Sequence, residues 1–278
     1  MKHEIESDSK VFFQFLLKII MYLLLLPFRL LVLLFFIITA NGKKISDSFD
    51  ILFGEPFKTI NELKEWFFQA KVTAFTILFL IFVFLLQILF LGYAPTDLVT
   101  RPSDLLSSRI YTVLSSAFLH ANLIHLVSNC LAFLIFGRIV EKHFGKKLFF
   151  LFVASAVLAN LVSLSISLYL GQEYFSLGAS GGICGIIMLA ILLEPFSWTS
   201  IFLLPLPLFV VGWALIYLDL MGLTAPSTTN HLAHLAGYFS LVFLLFFFSK
   251  LEKEKVRTGF LINCFFLILA ILLALFVF

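Results

Sequence analysis

Repeated apolar runs, each near the length of a membrane-crossing helix, constrain this chain more strongly than any other feature. They cover residues 72–92, 115–136, 148–170, 180–193, 199–218, 231–249 and 260–278. About 20 residues at about 1.5 Å each are needed to cross about 30 Å of hydrocarbon. Only helices and closed barrels satisfy their backbone polar groups in that layer. The runs therefore predict an all-α polytopic membrane protein.

The composition agrees with this prediction and excludes several classes of protein. The chain has 278 residues, of which 62% are hydrophobic and 13% are charged. Soluble domains average about 45–50% apolar and about 25% charged residues. A soluble globular enzyme, a disordered chain and a nucleic-acid binder are therefore excluded, and a lipid bilayer is the expected surrounding. Cys130, Cys184 and Cys264 all lie in apolar runs, and they are expected to be core residues rather than disulfide partners or ligands.

A hydrophobic N-terminal extension, residues 1–71, precedes these runs. Its residues 11–40 are apolar but contain Lys18 and Arg29, and a charge at a helix centre costs about 2.5–3.5 kcal/mol on insertion. A kinked spanning helix and one or two pieces at the membrane surface both remain open. The run is too long for a cleavable signal peptide and lacks a small-residue cleavage site, so none is expected. Residues 41–71 are interpreted as a cytoplasmic linker with some helix.

Lysine and arginine residues predict the orientation of the chain in the membrane. Thirteen of them lie in three alternate connecting segments, residues 41–71, 137–147 and 249–258. Only two lie in the intervening segments, residues 92–112, 171–179 and 219–230. Because basic residues concentrate in cytoplasmic loops, the first set is expected inside and the second set outside.

The run 180–193 is too short to cross the whole hydrocarbon layer. Its 14 residues reach about 21 Å as a helix. With its last residue at the cytoplasmic surface, its first residue starts inside the membrane, where non-helical backbone survives only against protein or a water-filled cavity. This predicts a wet, protein-lined pocket on the extracytoplasmic side, next to residue 180.

Ser180 opens this short run between Gly178 and the pair Gly181 and Gly182. The glycines let the backbone bend sharply and let other groups approach it closely. Unpaired backbone N–H groups and the positive end of the helix dipole would lie beside the serine hydroxyl, which suits an oxyanion. The alternative is a helix-capping serine with glycines that serve helix packing.

Two histidines, His231 and His234, open the run 231–249 on the same side of the membrane. Either imidazole is a candidate general base for a serine hydroxyl. Gly237 shares a helix face with His234 and would let this helix approach the glycines beside Ser180. The alternative is that the histidines merely lie at head-group depth.

A third group of polar residues, His120, His125 and Asn129, enters the run 115–136. His125 and Asn129 are four residues apart, so they project from one helix face, and both can donate hydrogen bonds. Donors aimed at one spot would complete an oxyanion hole. The alternative is a polar contact between helices. Arg109 and Glu141, in the adjoining loops, are interpreted as structural residues.

A serine, a histidine and backbone amides together are typical of acyl transfer, and this set resembles the rhomboid family of intramembrane serine proteases. The similarity covers about residues 105–249 and extends to residue 278 by topology. The matching pieces are Arg109 to Thr112, Phe118 to His120 with His125 and Asn129, Gly137 with Glu141 and Gly145, GASG at 178–181, and AHLAG at 233–237.

The resemblance implies a rhomboid core of six transmembrane helices over residues 72–249, with residues 260–278 as an extra C-terminal seventh. It implies a catalytic dyad without a third acid, in which Ser180 is the nucleophile and His234 is the general base. His125 and Asn129, with the backbone N–H of Ser180, would bind the oxyanion.

The remaining matched positions are expected to support that site. Gly178 would lie beside the bound substrate, and the supporting residues would be Arg109, His120, Glu141, Gly181, His231 and Gly237. Three positions depart from the family pattern. Ser108 stands where other members often have Trp, Cys184 where they often have an aromatic residue, and Leu241 where they often have a small residue.

The expected function is cleavage of single-pass transmembrane protein substrates, with no cofactor and no metal, in the plasma membrane of a prokaryote. The sequence does not identify the substrate, its cleavage site, the pathway or the oligomeric state. Rival hypotheses are a helix-binding adaptor without activity, a metal site built from the four histidines, and a transporter. An aspartyl protease is disfavoured because Asp219 has no evident partner in the membrane.

Overall fold

The structure is a computed structural model, and it describes residues 14–26, 29–30, 55–91, 95–199, 206–224 and 229–277. The chain divides into two compact units. One comprises Met1–Lys71 and Trp198–Pro205, and the other comprises Val72–Ser197 and Leu206–Phe278.

Among its described residues, the first unit has the helices α1 (Gln14–Leu26) and α2 (Glu55–Gln69) and the extended residues Trp198–Thr199, β1. Lys18 of α1 donates to Glu62 of α2 over 3.4 Å, at an exposed position. The remaining residues of the predicted apolar stretch 11–40 lie outside the described residues, apart from 29–30. Whether that stretch crosses the membrane or lies at its surface therefore stays a prediction.

The second unit is a bundle of helices. Its helices are α3 (Lys71–Leu86, continued by the π-helical Gln87–Leu91), α4 (Thr112–Ser115), α5 (Leu123–Phe144), α6 (Lys147–Tyr169), α7 (Ser180–Leu193), α8 (Leu208–Gly222), α9 (His231–Leu244) and α10 (Lys250–Val277). Three 3-10 turns, at Pro102–Leu106, Ser116–Phe118 and Leu245–Phe247, and the extended pair Leu206–Pro207, β2, complete it.

Four helices of the described residues are long and apolar enough to cross a membrane, and they comprise α3 with its π-helical end, α5, α6 and the first 23 residues of α10. The apolar helices α7, α8 and α9 are shorter. The prediction of an all-α polytopic membrane protein is therefore confirmed.

The short helix α7 forms the centre of this unit. It packs against α5, α6, α8, α9 and α10, and nearly all of its residues are buried. Gly182 and Gly185 approach α6 so closely that a Cβ on them would collide with Phe152 and Ser155. Small residues of this kind let helices in a membrane pack closely. The first residue of α7, Ser180, therefore lies where several helices meet.

Three helix starts differ from the predicted runs, at Leu123, Leu208 and Lys250. The α5 start is fixed by Asn122, whose side-chain oxygen accepts from the backbone N–H of His125 at 2.8 Å. At α10, Ser249 and Glu252 cap the helix reciprocally, so it begins in polar residues that hydropathy passes over. Capping chemistry, rather than the apolar boundary, decides both starts.

The C-terminal helix α10 belongs to this bundle. Gly259 packs so closely on the carbonyl of Leu192 that a Cβ there would collide with it. The Asn263 side chain accepts from the indole N–H of Trp213 at 3.1 Å, and the Phe266 ring stacks on Phe209 with centroids 5.1 Å apart. The extra C-terminal helix predicted for this chain is therefore packed against both α7 and α8.

Candidate active site

Ser180 is the first residue of α7, and its hydroxyl is half-buried. The preceding Gly178 has a φ of 133°, which an L side chain rarely adopts, and its N–H donates to the carbonyl of Ser116 at 2.9 Å. A Cβ on Gly178 would lie 2.9 Å from the Nε2 atom of His125. A glycine is needed here both for the backbone conformation and for the imidazole beside it.

A glycine contact brings α9 against the start of α7. A Cβ on Gly237 would collide with the carbonyl oxygen of Gly181, and one on Gly181 would lie 2.9 Å from the Cβ of Ala159. Gly181 follows Ser180, and Gly237 lies one turn after His234. The expected close approach of these two helices is therefore present in the structure, and it carries the His234 turn to the Ser180 end of α7.

Asp219 of α8 binds both histidines at the start of α9. Its Oδ1 atom lies 2.8 Å from Nδ1 of His234 and 2.7 Å from Nδ1 of His231, and its Oδ2 atom accepts from the hydroxyl of Tyr238 at 3.1 Å. Asp219 was expected to have no partner in the membrane, but it has three in the structure, none of which is the second aspartate that an aspartyl protease would need. The partners lie 12 to 19 residues away on another helix, and spacing along the chain does not show which helix faces meet.

The three other polar residues of the site lie at the start of α5 and in the loop before it. The His120 and His125 rings meet edge to face with centroids 5.1 Å apart. The Gln87 side chain donates through Nε2 to the His120 carbonyl at 2.8 Å and accepts through Oε1 from the His120 N–H at 3.1 Å. His120 is fully buried and Asn129 is 6% exposed. In the described part of the chain, neither His120 ring nitrogen nor the Asn129 amide nitrogen has a hydrogen-bond partner.

Arg109 holds the loop between α3 and α5. Its guanidinium donates to Asp104 at 3.0 Å, to Asp97 at 3.3 Å and to the carbonyl of Thr96. Asp104 is itself buried and also accepts from Thr112 at 3.2 Å. Within the described residues, these hydrogen bonds of the Arg109 guanidinium all join it to groups of the same loop.

Glu141 binds the opposite end of the bundle from Ser180. Its carboxylate accepts from the backbone N–H groups of Val72 and Thr73, at 2.9 and 2.8 Å, and from the Thr73 hydroxyl at 2.7 Å. These N–H groups belong to the first turn of α3 and have no partner inside that helix. Glu141 thus ties α5 to the start of α3.

One group of described residues has metal-ligand chemistry, namely Cys184, Asp219 and His234, whose ligand atoms lie within 4.8 Å of one another. The metal site considered from the sequence consisted of His120, His125, His231 and His234. The group in the structure shares only His234 with that set and adds a thiol and a carboxylate. The hydrogen bond between Asp219 and His234 already explains why these two groups lie close together.

Two residues of the site, Asp219 and Tyr238, were missed by sequence reasoning. The available signal was an acidic residue directly after the apolar run 199–218. An acidic residue buried in a membrane bundle is a functional candidate by default because its burial is costly. Nothing in the sequence distinguishes Tyr238, since a tyrosine in an apolar helix is ordinary.

Comparisons with known proteins identify the family of this chain. The rhomboid domain family matches residues 107–251, just over half of the chain. RHOMBOID-like protein 12, mitochondrial, of Arabidopsis thaliana is 32% identical over 148 residues, 47% of this chain and 44% of that protein. Rhomboid-like protein 11, chloroplastic, of the same plant is 34% identical over 159 residues, 52% of this chain and 55% of that protein.

Presenilin-associated rhomboid-like protein A, mitochondrial, of Danio rerio is 30% identical over 135 residues, 47% of this chain and 35% of that protein. The chain spans about half the length, or less, of the curated relatives it matches. Their names give no support to the expected plasma membrane of a prokaryote. The helices and the family match agree that this is an integral membrane protein, and the chain belongs to the rhomboid family.

Proposed function

We propose that this protein is an intramembrane serine endopeptidase that cleaves single-pass transmembrane proteins, with Ser180 as nucleophile and His234 as general base. The observation that carries the proposal is the contact between Gly237 and the Gly181 carbonyl. It brings the helix turn that bears His234 against the helix start that bears Ser180. Serine and imidazole on facing helix ends are the groups that acyl transfer requires.

In the proposed first step, His234 takes the hydroxyl proton of Ser180, and the serine oxygen attacks the scissile carbonyl. The tetrahedral intermediate collapses when the leaving amide nitrogen receives that proton from His234, which releases one product and leaves an acyl-enzyme. Water then attacks the acyl group with His234 again as base, which regenerates Ser180 and releases the second product.

The oxyanion of the intermediate would be bound by the backbone N–H of Ser180 and by the side chains of His125 and Asn129. The first N–H groups of α7 have no partner within the helix. The His125 ring lies against Gly178, two residues before Ser180. The buried amide nitrogen of Asn129, without a partner in the described chain, is the kind of unsatisfied donor that a catalytic role explains.

The proposed orientation places this site in a water-accessible cavity open to the extracytoplasmic side. The excess of lysine and arginine in segments 41–71, 137–147 and 249–258 supports it. The 14 residues of α7 span about 21 Å, so Ser180 would lie within the membrane. A substrate helix must unwind there, because a helix keeps its carbonyls in internal hydrogen bonds.

The first test is labelling of the detergent-solubilised protein with a fluorophosphonate probe, which reacts with activated serines. The wild type is compared with Ser180→Ala and His234→Ala. We expect labelling of the wild type and loss of labelling in both variants. A folded wild type that does not label would overturn the proposal and favour a helix-binding adaptor without protease activity.

A further inference from the structure

Asp219 is a buried carboxylate, 7% exposed, and the reaction proposed above gives it no task. It lies on α8, between the two histidines at the start of α9 and the hydroxyl of Tyr238. The titratable groups that face it are His231, His234 and Tyr238 from α9, and Cys184 from α7. A carboxylate inside a membrane bundle is costly and marks a functional site by default.

The contact between Asp219 and His234 determines which imidazole nitrogen can act as a base. A neutral imidazole carries its proton on one of its two nitrogens, and an ionised carboxylate can only accept. With Oδ1 of Asp219 at 2.8 Å from Nδ1 of His234, the proton lies on Nδ1. The lone pair is then on Nε2, and this is the nitrogen that remains available as the base for Ser180 in the proposed reaction.

The same contact acts when His234 is protonated during the reaction. The imidazole then carries a positive charge, and the carboxylate at hydrogen-bond distance stabilises it. We infer that Asp219 is a positioning residue that holds the tautomer and ring orientation of His234 and stabilises its cation, so that the site operates as a Ser–His–Asp triad. This inference rests on the proposed protease function.

The carboxylate is itself held in place by two further donors. Nδ1 of His231 lies 2.7 Å from Oδ1, and the Tyr238 hydroxyl donates to Oδ2 over 3.1 Å. The His231 ring lies directly over Gly222, where any Cβ would collide with it. Asp219 and Gly222 are three residues apart and share one face of α8. That face therefore accepts both imidazoles and leaves the carboxylate little freedom to rotate.

The kinetic test compares wild type and Asp219→Asn for cleavage of a transmembrane substrate in detergent. We expect kcat to fall about 10²–10⁴-fold with KM within about two-fold, because the amide no longer selects the Nδ1–H tautomer. The acid limb of the kcat profile should also move to lower pH, because loss of the carboxylate disfavours the protonated imidazole. Asp97→Asn, at an exposed loop position, should retain both the rate and the profile.

A second measurement does not depend on activity. In the Ser180→Ala background, the ¹⁵N shifts of His234, assigned through His234→Gln, should report the Nδ1–H tautomer, and Asp219→Asn should abolish that preference. If Asp219→Asn does not fold, Tyr238→Phe replaces it in the kinetic test, because it removes one of the donors that hold the Asp219 carboxylate. We then expect kcat to fall a few-fold and KM to stay unchanged.

The outcomes separate the inference from the proposed function. An Asp219→Asn protein with the wild-type kcat and acid limb, while Ser180→Ala is inactive, would overturn the triad and leave the protease standing. A wild type that is folded but inactive would overturn the protease, and an Nε2–H or mixed tautomer of His234 in the Ser180→Ala background would overturn the role of Asp219 directly.

Discussion

The two ends of α7 use polar groups in different ways. At the Glu194 end, the Glu194 carboxylate pairs with Nε2 of His143 at 2.8 Å, accepts from the Ser197 hydroxyl at 2.8 Å, and lies 3.5 Å from the Lys142 ammonium. At the Ser180 end, the Asn129 amide nitrogen has no partner in the described chain. One end satisfies its polar groups, whereas the other keeps hydrogen-bonding capacity unused.

Packing does not explain this difference, because both ends are closed by the same kind of contact. Gly237 meets the Gly181 carbonyl at one end, and Gly259 meets the Leu192 carbonyl at the other. An unsatisfied buried donor costs about 1–3 kcal/mol. The Ser180 end carries that cost without any gain in stability, which is the pattern expected where a ligand completes the bonding.

The largest expected difference between the two ends concerns turnover. Ser180→Ala and His234→Ala should each lower turnover at least about 10³-fold, and Ser180→Ala should do so with little change in the thermal midpoint. Glu141→Gln, at the far end of the bundle, should cost about 2 kcal/mol of stability because the α3 N–H groups lose a charged acceptor. Its turnover per folded molecule should equal the wild type. Cleavage of a transmembrane substrate, alongside thermal unfolding, measures both.

Two buried asparagines provide the next comparison. Asn129→Ala should lower kcat about 10²–10³-fold through loss of an oxyanion donor and leave stability nearly unchanged. Asn160→Ala should do the reverse, because its amide donates to the Val113 carbonyl at 2.8 Å, and its loss should cost about 1 kcal/mol. Equal losses of stability in the two variants would contradict the view that the Asn129 donor is unused by the fold.

Gly237→Ala and Gly259→Ala test whether the glycine contacts are equivalent. Each added Cβ would collide with a backbone carbonyl, so each variant should lose about 1–3 kcal/mol. Gly237→Ala alone should also reduce fluorophosphonate labelling per folded molecule, because it moves the His234 turn away from Ser180. Full labelling of folded Gly237→Ala would show that this contact does not position the base.

The smallest expected effect is the loss of the stability that the Glu194 carboxylate contributes, as the pH falls. Burial raises the pKa of Glu194, but hydrogen bonds from His143 and Ser197 and the charge of Lys142 outweigh it, so the pKa lies below its ordinary value of 4.5. The stability that this carboxylate contributes is present above pH 4.5 and is lost as pH falls through the lower folded-state value.

Thermal unfolding of the wild type and Glu194→Gln between about pH 7 and 3 would measure that contribution. The difference in midpoint should be largest at neutral pH and should shrink in acid. A difference that stays constant, or grows, would mean that Glu194 is not stabilised as a carboxylate at this end of α7. Labelling of Ser180 should be unaffected by the substitution.

Much of the fold follows from the sequence, because burial of apolar runs in a membrane is a local property of each run. The helix starts at Leu123 and Lys250 do not follow from it, since they depend on capping by Asn122 and by Ser249 with Glu252. The residues proposed for catalysis were chosen from motif and spacing. The structure adds which helix faces meet, through the contacts of Gly237 with the Gly181 carbonyl and of Gly178 with the His125 ring, and spacing does not contain that information.

The sequence by itself determined that this is a helical membrane protein of the rhomboid type, and which serine and histidines could perform its chemistry. It could not determine what holds the base. Asp219 directly follows the apolar run 199–218 and lies 15 residues before His234. A hydrogen bond between two helices depends on the depth of each helix in the membrane and on which of its faces meets the other. Only the packing of α8 against α9 decides that, because it brings one carboxylate to two imidazoles at once.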